Sequence, residues 1–193
     1  MPSKALAAIA VLGLLTACST TYKPSVVDAK SGLHATTATV DAGGVIASKT
    51  VVRYADYGAV LLVARSNAYP SRLEFLARKE LAEMGFDRVV NVAEFRRWAD
   101  DAKFELPVDK IGIAEIRKFS STVKPVLVVD VQYGWVGGAR HFAGARIVDG
   151  RTGESLLTVD HPKTVWLNAD DEVIYPMLNE LRKWRKRVDS QSA

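Results

Sequence analysis

Cys18 is the one cysteine in this chain of 193 residues, and its setting is the strongest chemical signal in the sequence. It follows Lys4, an apolar run from Ala5 to Leu15, and the small residues Thr16 and Ala17. A cationic start, a short apolar stretch and a small-residue cut site are the parts of a secretory signal. The apolar run is far shorter than the roughly 18–20 residues that span hydrocarbon, which argues against a permanent membrane helix. An ordinary secreted chain would carry Cys18 as a stray thiol into an oxidising compartment, an uncommon arrangement.

Leu15-Thr16-Ala17-Cys18 resembles the bacterial lipobox. The resemblance implies that the Cys18 thiol is diacylated, that the chain is cut between Ala17 and Cys18, and that the new amine is acylated. A buried methylene contributes about 0.8 kcal/mol, so two or three acyl chains form a stable anchor where one does not. Ser19 stands where lipoproteins retained in the inner membrane often carry Asp. By that resemblance the expected home is the outer membrane, with the domain facing the periplasm.

Other chemistries find less support. His34, His141 and His161 have no partners at metal-ligand spacing, and no H-E-x-x-H or EF-hand loop is present, so neither metal nor cofactor is expected. No G-x-S-x-G elbow occurs. Asp160 and His161 are neighbours on an expected strand and point to opposite faces. Asp149 reads as a turn residue, and Asp130, which interrupts an apolar strand, is expected on an edge or exposed face. The reading is therefore non-enzymatic.

Three features are candidate contacts. Arg65-Ser66-Asn67 lies between a strand and a helix start, where an anion is favoured. Yet no glycine-rich phosphate loop is present, and Asn67 and Ser71 suit turn and cap chemistry. Trp135, beside Gly134 and the Gly137-Gly138 pair, is a candidate exposed contact at a strand end. Arg182, Lys183, Arg185, Lys186 and Arg187 concentrate positive charge near the C-terminus, where cations complement a helix dipole; an anionic partner is the alternative. Trp184 lies on the same helix's apolar stripe, where core packing competes for it.

The elements that carry these residues follow from hydrophobic pattern. With 48% hydrophobic and 25% charged residues the composition is globular. The net charge is +4, and with a periplasmic address its counterparts are anionic lipid, cell-wall carboxylates or an acidic protein face, not nucleic acid. The expected organisation is a signal peptide at 1–17, the lipidated cysteine and a flexible tether at 18–50, a globular domain at 51–188 and a polar tail at 189–193. Residues 36–40 offer an optional edge strand.

Within the domain, Ala59–Ala64 reads as a strand covered on both faces. A helix follows with Ser71 as cap, Glu74 completing a capping box and Gly85 ending it. Arg88–Val92 forms the next strand. Helical spacing then runs through Phe95, Trp98 and Ala102 and again through Val108, Ile111, Ile116 and Phe119, with Gly112 weakening the second stretch. Pro125–Tyr133 is the strongest strand, apolar on both faces at first and alternating later. A hairpin turns at Asp149-Gly150, and a last helix follows Asn168, with Pro176 or Asp170 as its start. The expected class is α/β (α+β): a single domain with a mixed sheet of about five strands and flanking helices, in the order β-α-β-α-β-β-β-α.

That order, with the stretch Arg146–Glu154, resembles the small α/β domain of three envelope groups. These are the curli-secretion-channel lipoproteins, the lipoprotein activators of penicillin-binding proteins, and the N-terminal domain of the Tol β-propeller protein. The resemblance implies a non-catalytic binding or adaptor module whose partner is a cell-wall synthase, another envelope protein or copies of itself. A subunit of a self-assembling secretion channel, and a small ligand-binding protein or enzyme using residues 65–71, are the alternatives.

Overall fold

Continuous apolar runs supply both faces of the central strands, and the remaining elements arrange themselves around that fact. The computed structural model describes residues 26–166 and 169–192. Its strands are β1 (Val45–Ala47), β2 (Ala59–Ser66), β3 (Val89–Val90), β4 (Val126–Gly137), β5 (Arg140–Asp149) and β6 (Ser155–Thr164). They form one six-stranded sheet in the order β1-β6-β5-β4-β2-β3. β2 runs parallel to both β3 and β4, while β4, β5, β6 and β1 pair antiparallel. The class is the mixed α/β one expected, with six strands in place of about five. The extra strand, β1, comes from residues 45–47; residues 36–40 form no strand.

Four helices cover the sheet. On one face lie α1 (Pro70–Glu83) and α4 (Tyr175–Ser192), packed on Val60, Leu62, Leu127, Val129 and Ile147. On the other lie α2 (Val92–Asp101) and α3 (Ile113–Thr122), packed on Ala59, Leu61, Val126 and Val128. Alternate residues of β2 and β4 thus enter different cores, as strand geometry requires. Phe119 organises the second core: its ring lies 4.8 Å from Phe95, 4.9 Å from Trp98 and 5.3 Å from Phe104.

Several helix ends differ from expectation. Ser71 does not cap α1: the N-cap is Tyr69, with Pro70 in the first turn. Proline's fixed φ and missing N–H make it a competent start without a side-chain cap. Glu74, freed from a capping box, accepts from the Asn91 amide at 2.9 Å. The capping box belongs to α2, where Asn91 Oδ1 accepts from the Glu94 N–H and Glu94 from the Asn91 N–H. Gly112 precedes α3 rather than weakening it, donating its N–H to Glu115 at 2.9 Å. Val108 sits in the connecting loop at 90% exposure, not on the helix. A π-helical turn, Asp170–Ile174, leads into α4, which continues to Ser192 through residues expected as a tail.

The described part of the segment expected as tether is packed. Val27 and His34 bridge in a short hairpin, and Ala38 and Val40 are buried. Asn179 on α4 accepts from the His34 N–H at 2.7 Å and donates to its carbonyl at 3.1 Å. Small polar residues suit a flexible chain, but they also suit a strap whose backbone is bonded by long polar side chains from elsewhere.

Candidate binding groove

α2 and α3 cover only part of their sheet face. Beyond Leu61 and Val128 the same face continues through Val63, Arg65, Asp130 and Gln132, and across β5 through Arg146. A cavity of about 450 Å³ opens there between the sheet and the two helices. Its floor is Leu61, Val63, Val128 and Val148, and Arg96, Asp109, Lys110 and Arg146 stand among its walls.

The wall is held by Arg96. Its guanidinium donates to the Pro107 carbonyl at 2.7 Å and to the Val108 carbonyl at 3.0 Å, fixing the loop that brings Lys110 and Ile111 over the floor. Asp130 lies opposite Arg146 in the β4–β5 register. Arg65 grips its carboxylate with two bonds, Nε to Oδ1 at 3.2 Å and Nη2 to Oδ2. Burial raises the Asp130 carboxyl above its ordinary range, against the opposing pull of Arg65 and Arg146. Arg146 donates to Ser155 Oγ at 3.3 Å and its side chain is exposed. The groove therefore combines an apolar floor, a carboxylate tied to Arg65, and walls in which cations outnumber acids. Such a surface suits an apolar ligand face edged with negative charge.

Of the residues singled out from sequence as contacts, the groove gathers Arg65 alone. Ser66 Oγ accepts from the N–H groups of Ala68 and Tyr69 at 3.2 and 3.0 Å, so it closes the turn. Asn67 bonds the backbone of Trp135. Trp135 is 53% exposed at the sheet end, its indole N–H donating to the Gly138 carbonyl at 2.7 Å. The C-terminal cations lie on α4, on the opposite face. Arg182 is buried and bonds Glu80, Glu83 and the Gly32 carbonyl, which corrects its reading as a surface contact. Arg185 covers the Tyr54 ring at 3.5 Å and pairs with Asp189, Lys183 pairs with Glu180 at 2.7 Å, and Lys186 donates to the Ser31 carbonyl. Arg187 is exposed. Cys18 and Ala17 lie outside the described residues.

Arg96, Lys110 and Arg146 carry no local motif. The readable signal was in β4, where Val128, Asp130 and Gln132 share one face while Leu127, Val129 and Val131 on the other stay apolar. A polar switch on one face of a central strand marks where its cover ends.

No protein-family model and no curated protein matches the chain. Solved structures similar to it include the LpoB C-terminal domain from Salmonella enterica, at 20% identity over 61% of this chain and 87% of that one, with a TM-score of 0.39. A PelC dodecamer from Paraburkholderia phytofirmans aligns at 11% identity over 73% of this chain and 96% of that chain, with a TM-score of 0.43. A lipoprotein from Neisseria meningitidis aligns at 17% identity over 69% and 96%, with a TM-score of 0.40.

Proposed function

We propose that the chain is a non-catalytic binding module of the bacterial envelope, anchored to the outer membrane through acyl chains on Cys18, with its domain in the periplasm. The observation that carries the binding role is the groove: a half-covered sheet face with an apolar floor and cationic walls. Its Asp130 carboxylate is already engaged by Arg65, and among the described residues no serine, cysteine or histidine lines it. The partner is an envelope protein offering an apolar segment flanked by acidic residues. Anchoring raises the effective concentration of both partners, so a modest interface suffices.

Site-specific photo-crosslinking in cells tests this reading. A benzophenone residue at Ile113, exposed at the groove, is expected to give one discrete protein adduct. The adduct should weaken strongly when Arg146→Glu and Lys110→Glu are combined, and persist with Arg187→Glu on the far face. An adduct of twice the chain's own mass identifies the partner as a second copy. A protein that folds and localises but gives no discrete adduct from the groove overturns the proposal.

A further inference from the structure

The strap described above shortens the leash. Residues 27–34 form a hairpin on the outer side of α4, and the Ala35 N–H returns to the Val26 carbonyl at 2.9 Å. The α4 residues that hold it, Tyr175, Asn179, Arg182 and Lys186, follow one helical stripe. Ile174, Leu178, Leu181 and Val188 on a different stripe face the sheet. The chain therefore enters the described domain on the surface of the α1–α4 layer, across the sheet from the groove.

Resting on the proposed acylation of Cys18, we infer that this layer lies against an anionic phospholipid surface and that the groove faces away from it. Eight positions separate Cys18 from Val26, and a fully extended chain of that length spans less than about 30 Å. Turning the groove to the membrane would require the leash to pass halfway round a body whose radius of gyration is about 15 Å, a path on the order of 60 Å. A leash of that length cannot follow it. Even a coil of eight residues, spanning about 16 Å, holds the layer's charges within one or two Debye lengths of the headgroups, each about 8 Å.

Those charges favour the same orientation. Lys30, Lys79, Lys183, Lys186 and Arg187 are exposed on the strap and on the two helices. Lys79 and Lys183 pair with Glu83 and Glu180, but across the strap (residues 26–35), α1 and α4 nine Lys and Arg stand against six Asp and Glu, which leaves the layer a net charge of +3. The strap thus acts as a spacer and a compass: it decides which face meets lipid and which face meets the partner.

The test uses the full-length acylated protein in vesicles of phosphatidylethanolamine and phosphatidylglycerol. A fluorophore is placed at Ala82→Cys on α1 or Ala114→Cys on α3, both exposed, and read with a headgroup-attached quencher. Quenching several-fold stronger at position 82 is expected. The difference should collapse when a Gly/Ser insert of about 20 residues follows Tyr22. Equal quenching at both sites, in protein whose mass shows the acyl chains on Cys18, overturns the orientation and leaves the anchor intact. Absence of that mass overturns the anchor itself. A preference unchanged in pure phosphatidylcholine vesicles overturns anionic lipid as the surface.

Discussion

The Asn67 side chain bonds both backbone groups of Trp135: its amide donates to the Trp135 carbonyl at 2.9 Å, and the Trp135 N–H donates to its Oδ1 at 2.9 Å. β2 and β4 pair in parallel up to Ser66 and Tyr133. Asn67 then leaves the strand, and its side chain takes over the ladder for one more step. The β4–β5 hairpin tip, with exposed Trp135 and Val136, is held by that amide on its β2 side.

Replacing the amide should therefore loosen the tip without unfolding the sheet. Asn67→Ala is expected to cost about 1–2 kcal/mol, the net worth of two hydrogen bonds. Asn67→Asp should recover little, because a carboxylate faces the Trp135 carbonyl. Urea unfolding gives the first number, and amide exchange at Trp135 locates it. Unchanged exchange at Trp135 would contradict the assignment.

Glu80 links the strap, α1 and α4. Burial alone would raise its carboxyl, but hydrogen bonds from His34 at 2.8 Å and from Arg182 hold it below the ordinary carboxylate range. A carboxyl depressed by folding binds fewer protons in the native state, so its contribution is complete above the ordinary value of 4.5 and disappears as pH falls through the lower folded value. Glu80→Gln should flatten the acid limb of the stability profile in the window that runs from about 4.5 down to the lower folded value. Glu80→Ala, which leaves Arg182 buried with less compensation, is expected to cost about 3–5 kcal/mol at neutral pH. An acid limb identical in Glu80→Gln and the native protein would refute the linkage.

Gly134 and Phe142 face each other across β4 and β5. A methyl group at Gly134 would enter the Phe142 ring, so Gly134→Ala should destabilise by about 1–3 kcal/mol through overpacking. Combining it with Phe142→Ala should cost less than the sum of the single changes. A strictly additive cycle would show that the ring moves aside freely.

Phe119 bears the second core. Phe119→Ala removes contacts to three aromatic rings and is expected to cost about 3–5 kcal/mol. Because α3 walls the groove, crosslinking from Ile113 should fall with it, whereas the strap on the other face should keep its protection from exchange.

Arg96 offers a gentler test of the same wall. Arg96→Ala frees the Pro107 and Val108 carbonyls, and proteolysis between residues 103 and 111 should accelerate while global unfolding shifts by no more than about 1–2 kcal/mol. Unchanged cleavage would mean that the loop is held by its apolar contacts instead.

Continuous apolar runs made β2 and the first half of β4 legible, and helical spacing did the same for α1 and the apolar stripe of α4, because burial selects side-chain type at every position of those elements. The Asp149-Gly150 hairpin was legible for a local reason: Asp149 Oδ1 accepts the Arg151 N–H at 2.8 Å, a bond available within the turn itself. α2 and α3 were visible as helical spacing, but their ends were not. A cap depends on which backbone group is orphaned, and Asn91 and Gly112 gain their roles only once the helix direction is set.

The sequence alone determined the apolar strands, the helical stripes and the turn chemistry, all properties of residues within a few positions of each other. It also raised the expectation of a lipid-bearing Cys18, which is a matter of local order along the chain. The tertiary structure decided the rest. The groove draws Arg65, Arg96, Lys110 and Arg146 from four separate segments, and the strap is held by α4 residues about 145–155 positions away. Such contacts depend on how sheet and helices stack, and no short stretch of sequence encodes them. Charged and small polar residues satisfy a solvated tether or a bonded strap equally well. Only their partners in space choose between the two.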